Sequence, residues 1–89
     1  MNEIQILREQ IDIIDDKLVE LFEKRILLTK KIGDIKKQNG IEMVDTKREE
    51  EIINRGISIL KNKDLSSEAK LFLRNIIELS KKVQQKRGF

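Results

Sequence analysis

The sequence predicts an all-α fold of three helices, one very long at the N-terminus and two shorter, in a single domain over residues 1–89. Two observations predict it. From Ile4 to Ile35 the apolar residues recur in alternating steps of three and four, the heptad signature of a helix with one buried seam. The composition, with 39% charged residues, 3% aromatics, no proline and four glycines, matches that of helical bundles.

The first helix is predicted over residues 3–38. Its seam runs Ile4, Leu7, Ile11, Ile14, Leu18, Leu21, Leu28, Ile32 and Ile35. Asn2, with Gln5 three residues on, supplies the N-cap, and Asn39-Gly40 is the stop. Such a helix is roughly 54 Å long at 1.5 Å per residue, whereas a compact domain near this size has a radius of gyration of about 13 Å. The rod cannot fold back into a globule of its own chain, so its outer half calls for another chain. The small size of the domain points the same way, because a chain of 89 residues buries little surface alone.

A second helix is predicted over 46–62, capped by Asp45, with Thr46-x-x-Glu49 fitting a capping box, and carrying Ile52, Ile53, Ile57 and Leu60 before fraying at Asn62-Lys63-Asp64. A third is predicted over 66–86 with Ser66 as its cap. It carries Ala69, Phe72, Leu73, Ile76, Ile77, Leu79 and Val83, and ends between Lys86 and Gly88. Gly33 and Gly56 fall inside helices, where each costs about 1 kcal/mol relative to Ala. Close approach of a neighbouring helix is the expected compensation.

Composition narrows the chemistry. The chain has neither Cys nor His, which removes thiol nucleophiles, Ser-His triads, disulfides and the usual zinc and haem ligand sets. Catalysis here would fall to Arg, Lys, carboxylates, amides or hydroxyls, with no metal and no cofactor. The net charge of +3 is spread among interleaved acidic and basic residues, which argues against nucleic acid. No apolar run approaches the roughly 20 residues that span a bilayer, and the N-terminus lacks a signal-peptide pattern, so a cytoplasmic protein is expected.

Several polar residues stand where the periodicity expects apolar ones. Arg25 occupies a seam position between Leu21 and Leu28, where it either snorkels along apolar surface or meets an anion. Lys36 lies eleven residues further on the same row, about 16 Å along the axis, with Thr29 and Ile32 between. Arg48 and Glu49 precede Ile52 and Ile53 by four residues, which turns them inward; a helix-start ion pair is the plainer alternative. On the third helix the stripe of Leu73 and Ile77 continues as Ser80 and Gln84, either a fraying end or a polar wall. Arg8 lies about 25 Å from Arg25 along the rod. It reaches the same site only if two long helices pair antiparallel about a two-fold near residues 20 and 21, which sets residue 8 of one chain opposite residue 33 of the other. The pocket so assembled suits a small dianion and contains no evident proton-transfer machinery.

These residues resemble the all-helical chorismate mutase family, through Leu7-Arg8-Glu9-Gln10-Ile11-Asp12, Asp15-Asp16-Lys17-Leu18, Arg25, Gly33-x-x-Lys36, Asp45-x-x-Arg48-Glu49 and Ser80-x-x-x-Gln84. The likeness spans nearly the whole chain in order, departing in the turn at Leu65-Ser66-Ser67-Glu68, which is one residue shorter than the family pattern. It implies an intertwined homodimer of three-helix chains whose two sites each borrow an arginine from the partner. The catalytic residues would be Lys36 and Gln84, donating to the ether oxygen of chorismate, with Arg25 and the partner's Arg8 clamping its carboxylates. Glu49 would hold the ring hydroxyl, Ser80 seat a carboxylate, Asp45 contribute backbone, Arg48 complete the polar wall, and Ile32, Ile52 and Ile77 form apolar walls. The reaction implied is the [3,3] rearrangement of chorismate to prephenate in phenylalanine and tyrosine biosynthesis.

Two rival functions fit parts of the same pattern: an isochorismate-pyruvate lyase on the same scaffold, and a non-catalytic helical interaction module whose inward polar residues set register. The sequence leaves open whether the chain docks onto another enzyme of the shikimate pathway.

Overall fold

A computed structural model of the chain describes residues 2–86. It contains α1 (Glu3–Gln38), α2 (Thr46–Ile59) and α3 (Ser66–Gln84), with one 3-10 turn, Lys63–Leu65, leading into α3. Among the described residues there is no strand.

The termini of α1 follow the sequence. The Asn2 side chain accepts from the Gln5 backbone N–H at 2.8 Å. At the other end the Gly40 N–H bonds to the Lys37 carbonyl at 3.4 Å and the Ile41 N–H to that of Lys36 at 2.9 Å, the paired bonds of a Schellman motif. Gly40 has a φ of 64°, a left-handed conformation that a side chain would strain, so the residue that ends the helix also turns the chain back toward it.

Asp45 caps α2 by accepting from the Arg48 N–H at 3.0 Å. Glu49 lends its backbone N–H to the Asp45 carbonyl, while its side chain pairs with α3 instead of completing a capping box. The second helix ends at Ile59, three residues before the expected boundary, because Leu60 turns extended and the Lys63 ammonium donates to the terminal carbonyls of Ile57 and Ser58 at 2.6 and 3.1 Å. Ser66 does not cap α3: its hydroxyl donates back to the Lys63 carbonyl at 2.7 Å. Asn62 caps the 3-10 turn by accepting from the Asp64 N–H at 3.0 Å, which makes the turn and α3 nearly continuous. The third helix ends at Gln84, and the Gly88 end of the expected boundary lies outside the described residues.

The chain is a rod with a hairpin folded against one end. Its extents are 56 × 31 × 15 Å and its radius of gyration is 16.4 Å, well above the roughly 12 Å of a compact chain of this length. Residues 2–24, the N-terminal part of α1, are exposed throughout, including Leu7, Ile11, Ile14, Leu18 and Leu21 of the seam. The core lies where α3 packs on both α2 and the other half of α1, and consists of Ile26, Ile53 and Ile77.

Both internal glycines sit at close approaches. A Cβ on Gly33 would meet Gln84 Cγ at 3.1 Å and Met43 Cε at 3.2 Å, and one on Gly56 would collide with the Leu73 side chain. Gly56→Val is therefore expected to destabilise the fold by about 1–3 kcal/mol through overpacking, read as a lower urea midpoint at fixed protein concentration. An unchanged midpoint would mean that Leu73 moves aside without cost.

Candidate functional site

The inner faces of the three helices line an open cavity of about 250 Å³, at the small end of ligand sites. α1 supplies Arg25, Thr29, Ile32 and Lys36, the α1–α2 connection and the start of α2 supply Asp45, Arg48, Glu49 and Ile52, and α3 supplies Ile77, Ser80 and Gln84. Every site residue predicted from the sequence within one chain thus lines one cavity. Arg8 does not: it lies in the exposed part of α1.

Arg25 is half-buried. Its guanidinium does not snorkel outward but crosses to α3, where Nη1 donates to Ser80 Oγ at 2.6 Å. Ser80, 6% exposed, donates its own proton to the Ile76 carbonyl at 2.9 Å. The hydroxyl therefore acts as a fixed acceptor that aims Arg25. Burial, and secondarily the like charge of Arg48, holds the Arg25 pKa below the ordinary arginine value. Both causes penalise an uncompensated cation, so an anion placed against Arg25 would relieve them.

Two further donors are anchored by main-chain carbonyls. The Lys36 ammonium donates to the Met43 carbonyl at 3.3 Å, and Gln84 Nε2 donates to the Thr29 carbonyl at 2.7 Å. An ammonium carries three protons and a primary amide two, so each keeps at least one for a ligand while the carbonyl fixes its direction. The Thr29 bond also settles the amide orientation, since the flipped form would set oxygen against oxygen. Gly33 is what lets the Gln84 stem lie this close to α1.

The three consecutive glutamates at the start of α2 take three different partners. Glu49 pairs with Lys81 at 2.9 Å, Glu50 with Arg74 at 4.0 Å and Glu51 with Arg48 at 3.5 Å. Arg48 touches the cavity but its side chain is 63% exposed, so its head is turned toward solvent. Asp45 spends its side chain on the α2 cap.

Lys81 and Met43 also line the cavity, together with Leu28 and Thr29, and the sequence reading gives none of these four as a site residue. A signal for Lys81 existed: from Ile77 a step of four reaches Lys81 and a further step of three reaches Gln84, as regular as the path through Ser80. Met43 lies in a connection, where periodicity is silent. The Lys81 pKa is raised, first by its hydrogen bond to Glu49 and then by that to Glu78. A cation whose folded pKa is raised keeps its pairing energy below its unfolded pKa and loses it as pH rises through the folded one, so the Glu49–Lys81 bridge is intact throughout the neutral range.

An all-α chain with a small cavity, walled by isoleucines and edged with directed cationic and amide donors, defines a helical enzyme-like pocket for a small organic anion. The chain belongs to the chorismate mutase type II family, whose sequence pattern matches residues 7–85. It is 36% identical over 81 residues to a chorismate mutase of Methanocaldococcus jannaschii, an alignment covering 89% of this chain and 81% of that protein. Among the described residues no helix is long and apolar enough to cross a membrane.

Proposed function

We infer that the chain catalyses the [3,3] rearrangement of chorismate to prephenate, as a homodimer with two sites that each take Arg8 from the partner chain. The observation that carries this reading is the cavity, where Arg25, Lys36 and the Gln84 amide converge between apolar walls. Four cationic side chains and two carboxylates line it, leaving a surplus of two positive charges to complement a dicarboxylate.

The reaction breaks a C–O bond and forms a C–C bond within one molecule, without acid, base or nucleophile. Arg25 binds one substrate carboxylate with guanidinium protons not given to Ser80, and the partner's Arg8 binds the other. Holding both selects the compact conformer in which the two bonding carbons meet. The free protons of Lys36 and Gln84 face the ether oxygen, where negative charge grows as the bond stretches. Donors fixed at such a position are typically worth about 3 kcal/mol each. Glu49 accepts from the ring hydroxyl with the oxygen that Lys81 does not occupy. Ile32, Ile52 and Ile77 flank the ring and exclude water, and Arg48, swinging in from Glu51, completes the polar wall.

Support for the dimer comes from the apolar surface that one chain leaves open. The seam of residues 2–24 is exposed, and beside it a groove between α1 and α3 is lined by Val19, Phe22, Ile26, Leu27, Leu79 and Val83. An apolar surface of that extent is unusual on a monomer.

Purified protein mixed with chorismate is expected to remove its ultraviolet absorbance and yield prephenate without added cofactor, and to sediment as a dimer. Isochorismate, assayed in parallel, is expected to yield no pyruvate. Chorismate decaying at its spontaneous rate, or a stable monomer with full activity, would overturn the reading.

A further inference from the structure

We propose that Lys81 is a positioning residue for the rearrangement, holding the Glu49 carboxylate in place as the acceptor for the substrate's ring hydroxyl. This rests on the function proposed above.

Glu49 stands on α2 and Lys81 on α3, so their 2.9 Å contact is an ion pair between two helices across the cavity wall. Both side chains are partly covered, at 22% and 31% exposure, whereas Glu50 and Glu51 beside them are more than half exposed and pair outward. Among the three glutamates, Glu49 is the one that lines the cavity.

A carboxylate edged by Arg25, Lys36 and Arg48 would otherwise be drawn toward the cations meant for the substrate. Such a pairing would neutralise a cation and close the cavity. Lys81 prevents it by engaging Oε2 from the α3 side, leaving Oε1 free to accept. Glu78, three residues before Lys81 and exposed, takes a second proton of the same ammonium at 3.3 Å. That contact competes mildly with Glu49 for the ammonium from outside the cavity. Lys81 therefore acts through Glu49 on binding of the substrate, and only weakly on the bond-making step.

Kinetics of Lys81→Met test this. The expected result is a rise in KM for chorismate of about tenfold, with kcat changed by no more than about threefold, as loss of a charged hydrogen-bond partner used equally in ground and transition states predicts. Lys81→Arg, which keeps the cation, is expected to recover most of the affinity. In a Glu49→Gln background Lys81→Met is expected to add nothing further, because the group through which it acts is already altered. Glu78→Gln frees Lys81 for Glu49 and is expected to leave KM unchanged or lower. The bridge is partly exposed and carries little stability, so circular dichroism should report folded protein in every case.

An unchanged KM in Lys81→Met overturns the proposal. So does an equal rise in KM with Glu49 already replaced, which would make Lys81 a direct ligand of the substrate, and so does a raised KM in Glu78→Gln. In all three the wild-type protein still turns over chorismate. If the wild type fails to do so, the functional reading fails first and the proposal with it.

Discussion

Arg25→Ala is expected to lower kcat/KM for chorismate by about three orders of magnitude while leaving the thermal midpoint essentially unchanged. The loss follows from the position of the guanidinium. It is aimed by Ser80, partly desolvated, and directed at a carboxylate whose placement selects the reactive conformer, so its removal costs both charge-assisted hydrogen bonds and orientation. Stability does not follow activity, because burial and Arg48 both oppose the Arg25 charge in the folded chain, and deleting it relieves that opposition. Arg8→Ala is expected to be similarly inactive, although Arg8 is exposed and far from the cavity in its own chain. When the two inactive variants are unfolded and refolded together in equal amounts, half the dimers are mixed. In a mixed dimer one site lacks both arginines and the other has both. About a quarter of wild-type activity should return, as two-fold symmetry with shared sites requires. No return of activity would rule out the sharing of Arg8 between chains.

Gln84→Glu is expected to cost about 10²–10³ in kcat at neutral pH and to regain rate on acidification, roughly tenfold per pH unit until the new carboxyl is protonated. The geometry sharpens this expectation. Gln84 gives one amide proton to the Thr29 carbonyl and keeps the other for the ether oxygen. An ionised glutamate there presents oxygen to both, repelling each. Protonation restores one donor, which cannot serve two acceptors at once, so the variant should stay below wild type even at its acid plateau. The wild-type rate should vary little near neutrality, since an amide does not titrate. A variant with a flat pH profile would remove Gln84 from its proposed place at the breaking bond.

How far these features could be read from the sequence depended on the scale of the interaction that fixes them. Local signals were reliable: Asn2, Asp45 and Asn39-Gly40 bound their helices as expected, because caps and left-handed turns are decided within a few residues. The end of α2 was misplaced because a side chain from beyond the helix, Lys63, caps its carbonyls, and Ser66 yields the capping role to a 3-10 turn that its pattern does not announce. A polar interruption of the heptad pointed to Arg25, its row eleven residues on to Lys36, and stripe continuation to Ser80 and Gln84, and all four line the cavity. Lys81 escaped because two rows leave Ile77 at helical spacing and only packing chooses between them. Which atoms each side chain engages, such as the Thr29 carbonyl under Gln84 or Glu51 beside Arg48, is set by contacts between helices and has no periodic trace.

The uninterrupted helix from Glu3 to Gln38 imposes a different rule on its own evolution. If one end of the rod serves the neighbouring subunit's site while the other serves its own, the stretch between Arg8 and Arg25 works as a ruler. Its outward-facing polar residues are free to drift, but inserting one residue would swing Arg8 by about 100° around the axis and carry it 1.5 Å further away. Single-residue insertions and deletions should therefore accumulate in the links at 39–45 and 60–65, and be purged from the rod.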